Sequence, residues 1–224
     1  MARSVDLFTQ YPLIVDPTSK AISLSTNTTT STSYTHSQTT ALNTELTTLN
    51  TLHRNLLSLE TPGGIPPPPL PINPKRTAQI TKLKDTANTA FRKNNHAEAV
   101  RLYTFALDMA LSRPGWEPVS LARDELAALY ANRAQAYMSQ REWAEGLVDA
   151  RASVEAKPMG NAKAWWRGGQ CLVEMGRWEE AKAFVGRGIE IEGKESEGGK
   201  ELVQLMGEVE EGLKRAAQAT ASSS

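Results

Sequence analysis

The chain has a single cysteine, Cys171, so an intrachain disulfide is ruled out, and its three histidines, His36, His53 and His96, fall at unrelated places. Without a Cys or His pair at ligand spacing, a metal centre lacks its donors. No glycine-rich loop precedes a helix in a phosphate-binding frame, and the paired carboxylates Glu179 and Glu180 read as solvated helix surface. Neither a cofactor nor an enzymatic activity is therefore expected. Long apolar runs are missing as well: nothing approaches the roughly 18 residues of a membrane span, and the first residues show neither a signal-length apolar run nor a small-residue cleavage site. The expectation is a chain that does not insert in a membrane and is kept in a reducing compartment facing the cytosol. Asn27-Thr28-Thr29 matches a glycosylation acceptor that such a chain would not use. Charge of one sign is also lacking. The 25 Lys and Arg balance 25 Asp and Glu, which leaves no global field for nucleic acid or a lipid surface. Cys171 itself sits in an apolar pattern and reads as a small core residue.

What the chain does have is periodicity. Three frames open on a large residue followed four positions later by a small one: LKDTANTAF from Leu83, YANRAQAY from Tyr130 and WWRGGQCL from Trp165. The pairs are Leu83 with Ala87, Tyr130 with Ala134, and Trp165 with Gly169. Small residues also stand where a second helix packs back, at Ala99, Ala106, Gly146 and Ala181. This is the pattern of tetratricopeptide repeats of about 34 residues, each a helical hairpin whose small positions let the two helices approach. The step from Leu83 to Tyr130 exceeds one repeat by about 13 residues. The excess falls around the turn cluster Arg113-Pro-Gly-Trp-Glu-Pro118, whose flanks lengthen both neighbouring helices. The fold class expected is mainly α: a solenoid of three repeats with a C-terminal capping helix and a small N-terminal α+β arm.

Four parts follow along the chain: an arm over 1–60, a proline-rich linker over 61–74, the repeat domain over 75–216 and a disordered tail over 217–224. Within the arm, LFTQYPLIVDPTSKAISLS places two short apolar runs around Asp16-Pro-Thr-Ser-Lys20, a turn composition that predicts a hairpin. A Ser/Thr-rich stretch follows, then Leu42, Leu46, Leu49, Leu56 and Leu59 at near-helical spacing, and then the semi-rigid spacer from Thr61 to Pro71. A segment this small and weakly cored leaves Leu13, Ile14, Val15, Ile22 and Leu24 as an apolar surface that needs a partner.

The chemistry lies on the first helix of each hairpin. Lys84 and Asn88 are four apart and share a face, as do Lys163 and Arg167, and Asn132 occupies the same face of the second repeat. Inner helices line the concave side of a stacked solenoid, so these five side chains converge on one groove. Amide donors orient a carboxylate while Lys and Arg supply charge, and the repeat region is itself net positive. Each residue alone is an ordinary surface residue; the five together at matching repeat positions make a receptor for a peptide's terminal carboxylate. Trp165 is expected to pack at the large position, and Trp166 is left open between groove and exterior.

This pattern resembles the carboxylate-clamp tetratricopeptide domains that receive the acidic EEVD C-termini of cytosolic heat-shock chaperones. The resemblance covers about residues 80–193. It implies that Lys84, Asn88, Asn132, Lys163 and Arg167 hold the chaperone tail. Departures are the insertion near Trp116, Gly146 for the usual Ala, and Gly188 with Gly193 in the third repeat, which are expected to weaken the helix that carries them and not the clamp. PLIVDPTSKAISLST in the arm, the Pro-Gly-Trp-Glu insertion and GRWEEAKAFVGRGIEI look like the tetratricopeptide subunits of fungal Sec complexes for post-translational translocation into the endoplasmic reticulum. That resemblance implies a peripheral protein on the cytosolic face of the membrane, docked through its arm on a membrane-anchored Sec subunit. Two other readings stand beside it, a structural scaffold and a soluble co-chaperone of an Hsp-ninety type chaperone.

Overall fold

Two units make up the computed structural model, Met1–Leu70 and Pro71–Ser224, and residues 11–25, 35–58, 74–115 and 117–222 are described. Trp116 and residues 61–73 of the expected linker lie outside the described residues.

In the first unit, strands β1 (Leu13–Val15) and β2 (Ile22–Leu24) pair antiparallel with Leu13 opposite Leu24 and Val15 opposite Ile22. The predicted hairpin forms because Asp16 ties off the turn. Its Oδ1 accepts the backbone N–H of Thr18 at 3.0 Å and of Ser19 at 2.6 Å, together with the Ser19 hydroxyl at 2.8 Å. Those donors hold the carboxyl below its ordinary value, the Ser19 N–H most of all. Helix α1 (His36–Leu57) starts at a capping box between Thr35 and Gln38, earlier than the leucine spacing alone indicated. The Thr40, Thr44 and Thr48 hydroxyls donate to the carbonyls one turn back, which is how a threonine-rich stretch is absorbed into a helix. Leu46 is buried. Asn50 ties α1 to the hairpin: its Oδ1 accepts the Ile22 N–H and its Nδ2 donates to the Ile22 carbonyl, both at 2.8 Å.

The second unit is a run of helical hairpins: α2 (Pro74–Arg92) with α3 (His96–Leu111), α4 (Val119–Ser139) with α5 (Trp143–Ala156), and α6 (Ala162–Glu174) with α7 (Trp178–Glu192). A last helix, α8 (Glu197–Ser222), packs on α6 and α7 and extends into the stretch expected to be a tail. The tight turns within the three hairpins each carry one residue with positive φ, Asn94 (59°), Arg141 (60°) and Gly176 (69°), so the repeat spacing read from the sequence reappears in the backbone. The insertion is pinned by Arg113, whose side chain is 3% exposed, ion-paired to Glu117 and Glu125 and donating to Thr77 Oγ1 on α2.

Small residues decide how closely each pair packs. Ala87 and Ala134 are fully buried, and a Cβ added at Gly169 would stand 2.4 Å from Val185 and 2.9 Å from Leu205. Cys171 is fully buried, and that burial pushes its thiol up to about 12, as a core cysteine should be. The two glycines expected to weaken the third hairpin do not interrupt it. Gly188 leaves room for Trp165, whose indole a Cβ would meet at 3.0–3.1 Å, and Gly193, at φ +81°, terminates α7 after its full 15 residues.

Two glycine-to-alanine substitutions therefore part company. Gly169→Ala should destabilise by about 1–3 kcal/mol through overpacking. Gly207→Ala, on an α8 position with nothing within 4 Å, should stabilise by about 0.5–1 kcal/mol through helix propensity. Urea denaturation of the two variants checks both signs.

Candidate functional site

The third hairpin is anchored before its functional residues begin. Asn161 precedes α6, and its Nδ2 donates to the Ser153 carbonyl, the Ser153 Oγ and the Lys157 carbonyl. Its own N–H donates to Glu192 Oε1 at 2.6 Å. One turn on, the Trp165 indole N–H reaches the Pro158 carbonyl at 2.8 Å, with its ring 4.8 Å from that of Phe184. Trp165 is 2% exposed and is the packing residue the sequence suggested. With the helix start fixed on both sides, Lys163 and Arg167 project from a rigid segment.

On the first two hairpins, Asn88 is the centre of a hydrogen-bonded set. Its Oδ1 accepts the Tyr103 hydroxyl at 2.6 Å and the Asn132 Nδ2 at 3.4 Å. That occupies the carbonyl side of the amide and turns its N–H donors the other way. Burial raises the Tyr103 phenol above its ordinary value, and the positive charges of Arg167 and Arg92 pull against that rise. Arg167 thus lies within electrostatic range of the Asn88 set. Lys84 stands one turn before Asn88 and is half-buried.

Two arginines in this region are treated in opposite ways. Arg133, next to Asn132 in sequence, turns away to α5, where Nε and Nη2 grip both oxygens of Asp149 at 2.7 and 2.8 Å and Nη1 reaches Thr104 Oγ1. Tyr130 and Tyr137 lie 5.7 and 5.8 Å from its guanidinium. Arg167 makes no ion pair among the described residues. Its Nε donates to Gln135 Oε1 at 2.9 Å and its Nη1 to the Ala131 carbonyl at 2.8 Å, and burial lowers its pKa from the ordinary value. Lys84 and Lys163 likewise make no ion pair among the described residues.

Lys163 and Arg167 line a cavity of about 400 Å³ with Gln135 and the half-buried Trp166. Its far wall is α8, which contributes Glu201, Gln204 and Glu208. The structure thus brings Asn88 to Asn132 and Lys163 to Arg167 as two sets; Lys84, Asn88 and Asn132 do not line the cavity. Sequence reasoning missed Gln135, three residues after Asn132 and so on its face, and Tyr103, whose role depends on where α3 meets α2. It also missed the α8 wall, which belongs to no repeat frame. In the first unit, Leu13, Ile14 and Val15 are 49%, 47% and 55% exposed, while Ile22 and Leu24 are half-buried.

No protein-family model matches the chain. Over 143 residues, 63% of this chain and 74% of the relative, it is 36% identical to the ER protein translocation subcomplex subunit sec67 of Schizosaccharomyces pombe. It is 30% identical over 117 residues to the heat-shock protein cognate (HSC) co-chaperone sgt12 of Aspergillus fumigatus, a match that takes in 52% of this chain and 30% of that co-chaperone. A chain in the cryo-EM structure of the Sec complex from S. cerevisiae superposes with a TM-score of 0.66 at 20% identity, over 91% of this chain and 98% of that one. That likeness is one of fold, and it takes in nearly the whole chain.

The contrast between the arginines gives a stability test. Arg133→Met would strand Asp149, which is 2% exposed, and should cost about 3 kcal/mol or more. Arg167→Met removes a desolvated cation that makes no ion pair among the described residues, leaves Gln135 and the Ala131 carbonyl without that donor, and should cost about 1–2 kcal/mol. Thermal or urea unfolding of the two variants reads the difference. A large loss at Arg167 would make it a structural residue.

Proposed function

The chain belongs to the family of the sec67 subunit of the ER translocation subcomplex, and from that membership we propose that it is a non-enzymatic adaptor for a chaperone. In this reading the repeats take the acidic EEVD-type tail of a cytosolic heat-shock chaperone, and the arm holds the protein on a membrane-anchored Sec subunit. The chaperone and its cargo are thereby brought to the translocon, on the cytosolic face of the endoplasmic reticulum. The observation that carries the reading is Arg167: a half-buried guanidinium that makes no ion pair among the described residues and shares its cavity with Lys163, while Lys84, one turn before the oriented Asn88 amide, makes no ion pair there either. Leaving a desolvated cation unpaired is unfavourable, and an incoming carboxylate relieves it.

The assignment of roles follows the geometry. The terminal carboxylate of the tail accepts from Asn88, held by Tyr103, and from Asn132, with Lys84 supplying charge. The side chain of the last acidic residue meets Lys163 and Arg167. Hydrogen bonds to charged groups contribute about 1.5–3 kcal/mol each, and ordering a flexible peptide takes much of that back, which leaves affinity in the micromolar range. The relative named as a co-chaperone of heat-shock cognate protein supports the same ligand class.

For the arm, the support is the exposed Leu13 and Val15, cross-strand from Leu24 and Ile22 on one face of a two-stranded sheet, with Ile14 exposed on the other face. A sheet of this size is marginal alone, and its apolar residues are the surface a membrane-anchored partner would cover. Among the described residues no helix is long and apolar enough to cross a membrane.

Lys84→Ala should weaken binding of an EEVD peptide about tenfold or more, and amidating the peptide terminus should do the same with helicity unchanged. Fluorescence polarisation measures both, and undiminished binding of the amidated peptide would remove the carboxylate mechanism in favour of a scaffold role. Raising the salt beyond physiological strength should weaken the same complex. For the arm, Leu13→Glu with Val15→Glu should release the protein from the membrane fraction while leaving peptide affinity intact. Retention of that variant on membranes would place the docking surface in the repeats.

A further inference from the structure

The cavity between α6 and α8 has two walls of opposite charge. On the α6 side are Lys163 and Arg167, and the Arg167 guanidinium is drawn toward α4 by Gln135 and the Ala131 carbonyl, away from α8. On the α8 side Glu201, Gln204 and Glu208 fall at i, i+3 and i+7, one stripe on one face, above the buried Leu205 that seats the helix. Glu201 and Glu208 are exposed and make no ion pair among the described residues. Trp166, on α6 and packed partly against the core, lines the same cavity as the α8 carboxylates. A cavity that holds both an aromatic ring and carboxylates can receive a cation, whose alkyl stem rests on apolar surface while its head meets the acids.

We propose that the α8 wall, Glu201 and Glu208 with Trp166, is a specificity element that selects tails with a basic residue just upstream of the acidic terminus. The inference rests on the carboxylate-receptor reading and extends it. A tail anchored by its terminus at Asn88, Asn132 and Lys84, with its last acidic side chain at Lys163 and Arg167, continues toward α8. There an upstream lysine or arginine finds opposite charge and an upstream glutamate finds like charge. The same polarity fixes the direction of the peptide, because a reversed tail would set its acidic end against the α8 carboxylates. The pairs are partly exposed, so the discrimination is modest and depends on salt.

The test is a fluorescence-polarisation titration of the full chain at low salt with peptides that end in EEVD and carry Lys, Ala or Glu at the two preceding positions. The full chain should bind the Lys peptide about tenfold more tightly than the Glu peptide, with Ala between. In Glu201→Gln with Glu208→Gln, the spread should collapse to about twofold, because the Glu peptide gains affinity and the Lys peptide loses its advantage over Ala. Equal affinities for all three peptides on the unaltered chain, with amidation still abolishing binding, would overturn the α8 inference and leave the clamp standing. A Lys preference that survives neutralisation of both glutamates would overturn it too. If no peptide binds whether free or amidated, the carboxylate reading fails and this inference fails with it.

Discussion

Close approach between the two helices of each hairpin is the constraint from which everything else in the repeat unit follows. It is met by an absence of side-chain bulk at Ala87, Ala134 and Gly169, where anything larger would force the helices apart. Trp165 shows the same constraint from the other side. Its ring occupies the space that Gly188 leaves open, and its N–H is answered by Pro158. Because these contacts are buried and tightly spaced, the orientation of α6 has little freedom. Lys163 and Arg167, carried on that helix, inherit its rigidity.

Charge is distributed with the same economy. Arg133 and Asp149 neutralise each other within the packing of α3, α4 and α5, as Arg113 does with Glu117 and Glu125 at the insertion. These pairs hold helices in register. Among the described residues Arg167, Lys84 and Lys163 make no such pair, which separates them from the cations that hold helices together. A single helical step divides the two roles: Asn132 faces Asn88, while Arg133, one residue later, faces Asp149.

The repeat fold was legible because its signal is a spacing. Large and small residues recur at fixed intervals, and three positive-φ residues in the hairpin turns confirm the interval in the backbone. Lys84, Asn88, Asn132, Lys163 and Arg167 were each assigned by a place in a frame; the structure brings Asn88 to Asn132 and Lys163 to Arg167, and a single groove for all five remains part of the proposal made above. Residues outside the frames were not legible. Gln135 and Tyr103 act through neighbours that only the stacking brings near, and α8 follows the last frame with no repeat to index it. Gly188 and Gly193 were expected to loosen α7, because helix propensity was weighed without the indole that needs the space or the turn that needs the positive φ. Trp116 and the proline-rich stretch lie outside the described residues.

The Asn50 amide has a consequence for the hairpin of the first unit. The Ile22 N–H and carbonyl face away from β1, and Asn50 answers both, standing in for a peptide group of a neighbouring strand. Growth of the sheet on that side is blunted by a side chain of the same molecule. The hairpin's outward-facing edge at Ile22 is thereby closed from within its own unit, which works against the edge-to-edge pairing from which fibres grow.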